Sequence, residues 1–283
     1  MKKLSILVLL SLFSYITVAQ DFNNVKITPI KAAGNVYMLK GAGGNIGVLA
    51  SDNGLVLIDD QFAPLAERIE AAMKTIKDKP LKYIINTHFH GDHTGSNNFF
   101  SEKAPIYAHQ NVRARLMDKE PAEQVALPVV TYQQSMTIYF ANEEIQLTHY
   151  AHGHTDGDTA VYFKKANVLH TGDLFFELGF PYIDLKHGGS VKGYLAAVEK
   201  MLAIIPDDVV IIPGHGKLTD KKRYQAFAKM IAFSIKHVTE LLQQGKSEQA
   251  IIKLGLGDKY KSWSWQFINE EKWLKTLVKD LKS

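Results

Sequence analysis

One segment restricts the fold of this chain more than any other: an apolar run, "LKYIIN", that leads into a cluster of metal-binding side chains. The cluster comprises His88, His90, Asp92 and His93. His88 and His90 are two residues apart, so on an extended segment they share one face. The glycine before Asp92 permits a sharp turn, which can direct Asp92 and His93 toward a neighbouring point. This geometry suits two metal ions close together better than one.

A site with two tetrahedral zinc ions needs more ligands than the four in this cluster, because each ion takes four. Three downstream residues qualify, each beside a glycine and each after a strand-like run: His154 in "GHT", Asp173 in "TGD" and His215 in "PGHG". Imidazole and carboxylate ligands suit zinc, although iron and manganese fit similar sites. The chain has no cysteine, so thiolate ligands are excluded.

The order of apolar patterns predicts an α/β fold. Strand-like pieces separated by glycine and asparagine occur in both halves of the chain, and segments with helical spacing follow them. Two strand-rich halves that each carry helices favour a layered sandwich of two sheets with helices outside. Residues 121–133 contain two prolines and are predicted as a loop. We expect one domain over residues 20–218 and a helical C-terminal extension, residues 219–283, packed on the same domain.

The N-terminal sequence "MKKLSILVLLSLFSYITVAQ" is typical of a secretory signal peptide, with a basic start, an apolar run and small residues. The apolar run of about 15 residues is shorter than the roughly 20 that span a bilayer, which argues against a membrane anchor. We therefore expect residues 1–19 to be removed by cleavage after Ala19, and the mature protein to be exported, to the periplasm. A formal net charge of +4 does not indicate a nucleic-acid partner.

The segment "THFHGDH" resembles the H-x-H-x-D-H signature of the metallo-β-lactamase superfamily, and the later "GHT", "TGD" and "PGHG" segments are similar to its remaining ligand motifs. The motifs occur in the same chain order, and the resemblance covers roughly residues 25 to 218. It implies a four-layer αββα sandwich with a two-metal site at one edge.

The resemblance also implies a ligand set for two zinc ions. The first ion would be bound by His88, His90 and His154. The second would be bound by Asp92, His93 and His215, with Asp173 bridging both ions and Asp92 orienting the attacking hydroxide. One of the two acidic residues after the strand "GLVLI" would support a metal-binding histidine, and Asp60 is favoured over Asp59.

The residue type at position 173 distinguishes branches of this superfamily. β-Lactamases of the first subclass usually carry cysteine at this position, followed three residues later by a lysine that binds the substrate carboxylate. This chain has Asp173 and Phe176 instead, which is similar to the glyoxalase II and lactonase branches. The departure puts β-lactam hydrolysis in doubt without excluding it.

The expected reaction is hydrolysis of a small-molecule amide, ester, lactone or thioester by a metal-bound hydroxide. β-Lactams are named first, because export brings the enzyme to where these drugs act, and a lactonase or thioesterase is the alternative. An iron-dependent oxidoreductase is disfavoured, because di-iron relatives have glutamate at the position of His90.

The sequence after Asp173 is rich in aromatic residues. Phe176, Phe180 and Tyr182 follow Asp173 and either form an apolar wall over the ions or pack in the core. The glycine-rich segment "KGAGGN" either overhangs the site or serves only its own turn. The tryptophan-rich C-terminal segment is expected to pack on the domain or on a partner subunit. The oligomeric state is left open.

Overall fold

A computed structural model describes residues 21–118 and 126–282 of the chain. The predicted signal peptide lies outside these residues. Two β-sheets pack face to face, and helices cover both outer faces. The predicted αββα sandwich is therefore confirmed. Within the described ranges, no helix combines the length and the apolar character needed to cross a bilayer.

The first sheet has seven strands in chain order. They are β1 (Thr28–Ala33), β2 (Val36–Lys40), β3 (Ile46–Ser51), β4 (Gly54–Ile58), β5 (Leu81–Asn86), β6 (Ile106–His109) and β7 (Val130–Tyr132). Strands β1 to β4 form an antiparallel meander, whereas β4 to β7 run parallel. Helices α1 (Ala66–Ile76), α2 (Gly91–Thr94), α3 (Asn97–Ser101) and α4 (Gln110–Met117) lie in the connections. Strand β7 falls within the predicted loop 121–133, so that prediction is wrong at this point.

The second sheet has six strands, in the order β13-β12-β11-β10-β9-β8. They are β8 (Ser135–Phe140), β9 (Glu143–His149), β10 (Thr159–Phe163), β11 (Val168–His170), β12 (Val210–Ile212) and β13 (Thr219–Asp220). Helix α5 (Val191–Ile204) connects β11 to its parallel neighbour β12. Ser190 begins this helix, because its side chain accepts a hydrogen bond from the Gly193 amide.

The core lies in three layers that follow from the strand patterns. Alternate residues of both sheets meet between the sheets, among them Val56 and Ile85 from the first sheet and Val161 and Ile212 from the second. A second layer fills the space between the first sheet and α1. The third and largest layer joins the second sheet to α5 and the C-terminal helices.

The C-terminal region consists of α6 (Lys221–Gln243), α7 (Glu248–Leu254), a 3-10 helix (Asp258–Trp263) and α8 (Glu270–Leu281). Asp220 caps α6 by accepting a hydrogen bond from the Arg223 amide. Trp273 of α8 is fully buried and stacks on Phe180, with ring centroids 6.1 Å apart. The C-terminal helices therefore share the core of the second sheet.

Candidate metal centre

The candidate ligands lie together at one edge of the sandwich, in loops that follow strands. The cluster of residues 88–93 follows β5 and runs into α2, while His154 lies between β9 and β10. Asp173 follows β11 and His215 follows β12. Because β11 and β12 are parallel neighbours, their carboxyl ends bring Asp173 and His215 to the same edge.

One group of ligand atoms comes from three histidines and an aspartate: His88, His90, His154 and Asp173. His90 Nδ1 lies 3.2 Å from His88 Nε2 and 2.9 Å from His154 Nε2. Asp173 Oδ2 lies 3.4 Å from His154 Nε2 and 3.8 Å from His88 Nε2. Four ligands about 2.1 Å from a tetrahedral zinc ion would be roughly 3.4 Å apart, so these separations suit such an ion.

A second group comprises Asp92, His93 and His215. His215 Nε2 lies 3.3 Å from Asp92 Oδ2, and His93 Nε2 lies 3.6 Å from the same oxygen. Asp173 Oδ1 is 3.1 Å from His93 Nε2 and 3.3 Å from His215 Nε2. Asp173 therefore directs one carboxylate oxygen toward each group.

The far sides of three of the five histidine rings are held by neighbouring groups. His154 Nδ1 donates to the Tyr182 carbonyl oxygen at 2.8 Å, which leaves Nε2 unprotonated and facing the other ligands. His90 Nε2 is 3.0 Å from Asp184 Oδ2, and His88 Nδ1 is 3.1 Å from Thr87 Oγ1. Sequence reasoning missed Asp184, because a single aspartate in "YIDL" carries no local signal.

The carboxylate that supports His93 belongs to Asp59. Asp59 Oδ2 accepts from His93 Nδ1 and from Thr87 Oγ1, both at 2.7 Å, and Asp59 Oδ1 accepts from the Thr87 amide at 2.7 Å. The Asp60 side chain instead accepts from the Ser96 amide at 2.8 Å, and Asp60 reaches His93 only through its backbone amide, which donates to the His93 carbonyl oxygen at 2.9 Å. The preference for Asp60 is wrong, because the backbone turns at Asp59, where φ is 62°, and directs that side chain to the histidine.

The chemistry of these groups fits divalent ions. Burial lowers the pKa of His88 well below its usual value and that of His154 to about 4, so both rings are neutral and present lone pairs. Burial opposes ionisation of Asp173, but His215 and His93 outweigh it and hold its pKa well below the usual range. His93 Nε2 and Asp173 Oδ1 are buried and lack a hydrogen bond of acceptable geometry. Both groups therefore form a candidate dinuclear metal site.

The glycine-rich segment of residues 40–45 lies directly on this site. The Gly44 amide donates to the Asp92 carbonyl oxygen at 3.3 Å, and the Asn45 amide donates to the Gly214 carbonyl oxygen at 2.7 Å. A Cβ atom added at Gly44 would overlap the His93 ring. Glycine is therefore required here by close approach to a candidate ligand.

The three predicted pocket residues lie in different environments. Phe180 is fully buried in the core against Trp273, so its predicted place in a pocket wall is wrong. Phe176 is also buried but stacks on His215, with centroids 5.1 Å apart and planes at 3°. Tyr182 is half-buried, and its ring lies 5.6 Å from that of His154.

A four-layer fold with this site at its edge defines a class of metal-dependent hydrolases, and comparison with known proteins identifies the family. The family model described as the metallo-beta-lactamase superfamily matches residues 39–215. The chain belongs to this superfamily, as its motifs predicted.

Relatives within the superfamily carry several different descriptions. "Probable metallo-hydrolase YqgX" of Bacillus subtilis (strain 168) is 28% identical over 62% of this chain and 89% of its own length. Metallo-beta-lactamase IND-1 of Chryseobacterium indologenes is 25% identical over 66% of this chain and 80% of its own. Hydroxyacylglutathione hydrolase of Brucella ovis is 28% identical over 64% of this chain and 65% of its own. These identities are too similar to select one substrate.

Solved structures share the fold. A metallo-beta-lactamase from Pontibacter korlensis superposes with a TM-score of 0.65 at 18% identity, over 74% of this chain and 99% of its own. A stereoselective inverting sec-alkylsulfatase from Pseudomonas sp. superposes with a TM-score of 0.70 at 16% identity, over 89% of this chain and 50% of its own.

Proposed function

We propose that this protein is an exported dinuclear zinc hydrolase that cleaves an amide or ester bond in a small molecule, and that β-lactams are the first substrates to test. The observation that carries the proposal is Asp173, which directs one oxygen toward each group of ligands. In this assignment, His88, His90 and His154 bind the first ion, and Asp92, His93 and His215 bind the second. Asp173 bridges the two.

Two divalent ions held by these residues would lower the pKa of a coordinated water toward neutrality and polarise a carbonyl group. The protein's own residues hold the geometry for this chemistry. Asp59, Asp184 and the Tyr182 carbonyl fix three ligand rings in orientation, so little reorganisation is needed during the reaction. Asp92, whose side chain is 22% exposed, is the ligand proposed to orient the attacking water.

A cavity of about 460 Å³ beside His215 supports a small substrate. It is lined by parts of residues 40–45 and 215–217, together with Glu177 and Arg223. Its volume falls in the range of roughly 300–1,000 Å³ that is usual for small-molecule sites. Lys40 and Lys217 give its mouth a positive character that favours substrates with an anionic group.

A lactone or thioester hydrolase is the second candidate. It is favoured by an oxygen ligand at Asp173, where β-lactamases of the first subclass usually have sulfur, and by the relative described as a hydroxyacylglutathione hydrolase. Both candidates use the same residues and differ only in the acyl group that they accept.

Metal content and turnover test the proposal together. Protein purified without added metal should contain about two zinc ions per chain, and it should hydrolyse at least one of nitrocefin, a homoserine lactone and a thioester. Asp173→Ala should lose metal and activity, whereas Asp207→Ala, at a side chain that is 95% exposed, should retain both. Full activity in Asp173→Ala would contradict the bridging role. Tightly bound iron with oxygen consumption would indicate an oxidoreductase instead.

Export is tested separately. The mature protein from the periplasmic fraction should begin at Gln20, as read by N-terminal sequencing. A full-length chain that stays in the cytoplasm would contradict the signal peptide. Residues 219–283 are proposed to pack on residues 20–218 as one domain, and the two parts should unfold in a single transition.

A further inference from the structure

A short segment of the C-terminal extension passes beside the candidate metal centre. Residues 263–268 run from the last residue of the 3-10 helix toward α8, and they lie outside the stretch that matches the family model. Two of these residues, Trp265 and Phe267, join Phe176 and Tyr182 in a set of contacting rings that we call the aromatic arc. The arc is therefore built partly from the superfamily domain and partly from the extension of this chain.

The segment is fixed to the loop that follows Asp173. The Phe180 amide donates to the Trp263 carbonyl oxygen at 2.8 Å, and Trp265 Nε1 donates to the Phe180 carbonyl oxygen at 2.9 Å. The Arg223 guanidinium lies over the Trp263 ring, 4.2 Å from its centroid. These contacts hold the extension in one position relative to the candidate ligands.

The aromatic arc runs from one group of ligands to the other. The Trp265 ring lies 6.4 Å from that of His215, and Phe267 follows at 5.8 Å from Trp265. Tyr182 is 5.6 Å from Phe267 and 5.6 Å from His154. An apolar group attached to a bond held between the two ligand groups would therefore meet these rings.

Exposure separates three of the four arc residues from ordinary core packing, whereas Phe176 is buried. Phe267 is 52% exposed, and Trp265 and Tyr182 are only partly buried. Trp273, by contrast, is fully buried in the core. Partly exposed aromatic rings that contact each other beside a polar site are characteristic of ligand-binding surfaces.

We propose that the aromatic arc binds the apolar acyl group of the substrate, and that Trp265 and Phe267 are specificity-determining residues. This inference rests on the proposed hydrolase function and deepens it. The substrate is an ester or amide whose acyl group is aromatic or a medium-length alkyl chain, and the C-terminal extension forms part of its binding site.

The dependence of kcat/KM on the length of the substrate's acyl group provides a kinetic test. With p-nitrophenyl acetate, butyrate and hexanoate, kcat/KM of the wild type should rise with length, by at most about fourfold per buried methylene. Phe267→Ala should flatten this increase, and Phe267→Leu should retain most of it. Phe233→Ala is the matched control, because Phe233 is 40% exposed on α6 and stacks on His237 away from the metal centre. An unchanged increase in Phe267→Ala, or an equal loss in Phe233→Ala, would overturn the proposal.

A binding measurement separates this inference from the hydrolase function. The three tryptophan indole N–H signals of the metal-loaded, 15N-labelled protein can be followed by NMR, with Trp265 assigned from Trp265→Phe. Phenylacetamide should shift the Trp265 signal, acetamide should not, and the buried Trp273 signal should stay in place. An unshifted Trp265 signal overturns the aromatic arc as a binding site even if esters are cleaved. A shifted signal in a protein that cleaves none of these esters, nitrocefin, the homoserine lactone and the thioester supports the binding site and refutes the proposed function.

Discussion

Replacement of Asp59 by asparagine should weaken binding of the second metal ion while the fold is retained. Asparagine is the appropriate substitution, because Asp59 has a φ of 62° and asparagine tolerates this region better than most residues. The wild-type carboxylate accepts three hydrogen bonds, from His93 Nδ1, Thr87 Oγ1 and the Thr87 amide. An amide has only one acceptor oxygen, so its NH₂ group must face a donor in either orientation.

The size of the effect follows from this mismatch. If the NH₂ group of the asparagine takes the place of Asp59 Oδ2, this group faces His93 Nδ1. If the NH₂ group takes the place of Asp59 Oδ1, this group faces the Thr87 amide. In both orientations the His93 ring loses its fixed orientation or its negative partner. Loss of such a supporting contact typically costs 10- to 100-fold in metal affinity. This corresponds to about 1.4–2.7 kcal/mol.

Competition with a zinc-binding dye measures the affinity of the protein for each of the two metal ions. Asp60→Asn is the matched control for Asp59→Asn. Asp60 is the adjacent buried aspartate, it contacts no candidate ligand side chain, and burial raises its pKa well above the usual range. Asparagine there keeps the size of the side chain and its acceptor for the Ser96 amide, so both ions should bind as in the wild type. Unchanged affinity in Asp59→Asn, or an equal loss in Asp60→Asn, would refute the reasoning.

Three further predictions concern protons, close packing and the extension. Burial alone would lower the pKa of His215, but Asp173 and Asp92 outweigh it and raise this pKa to about 9 in the metal-free protein. Although burial opposes it, Asp173, Asp92 and Asp59 also raise the pKa of His93, the other histidine proposed for the second ion, well above its usual value. Since a protonated ring cannot bind metal, affinity for the second ion should increase as the pH rises above 7, and calorimetry in two buffers at pH 7 should detect proton release; binding without release would contradict this. Gly179→Ala places a Cβ atom against the Trp263 carbonyl oxygen and should destabilise the protein by about 1–3 kcal/mol, seen as a lower Tm. Gly91→Ala, where a Cβ atom meets nothing within 4 Å, should leave Tm unchanged. Trp273→Ala should cost about 3–5 kcal/mol and lower a single thermal transition, and two separate transitions would show that the extension is an independent unit.

The ligand motifs were predictable from sequence because each one is local. Gly172 and Gly214 lie in the loops that follow two short apolar strands. Asp173 and His215 could therefore be identified as candidate ligands from the local sequence alone. The layered fold followed from the order of strands and helices. Strand β7 was missed because it has three residues and, within residues 21–118 and 126–282, pairs only with β6, a contact that no local pattern encodes.

The supporting residues were harder to predict, since they depend on backbone direction and on long-range contacts. Asp59 and Asp60 are identical in type, and the left-handed conformation of Asp59 decides which of them reaches His93. Asp184 contacts His90 from 94 positions along the chain. Phe176, Phe180 and Tyr182 lie close together in sequence but have three different environments, which packing against the C-terminal helices decides.

The candidate ligands come from both sheets, and this division has a consequence for how the chain matures. Residues 88–93 follow a strand of the first sheet, whereas His154, Asp173 and His215 follow strands of the second. Neither half can offer both complete ligand groups, so tight ion capture must wait until the two halves have docked. Each ion then acts as a reversible cross-link between them, adding about 2.7 kcal/mol to global stability when free metal is 100 times the dissociation constant. A newly folded chain would therefore be more stable where metal is available than where it is scarce.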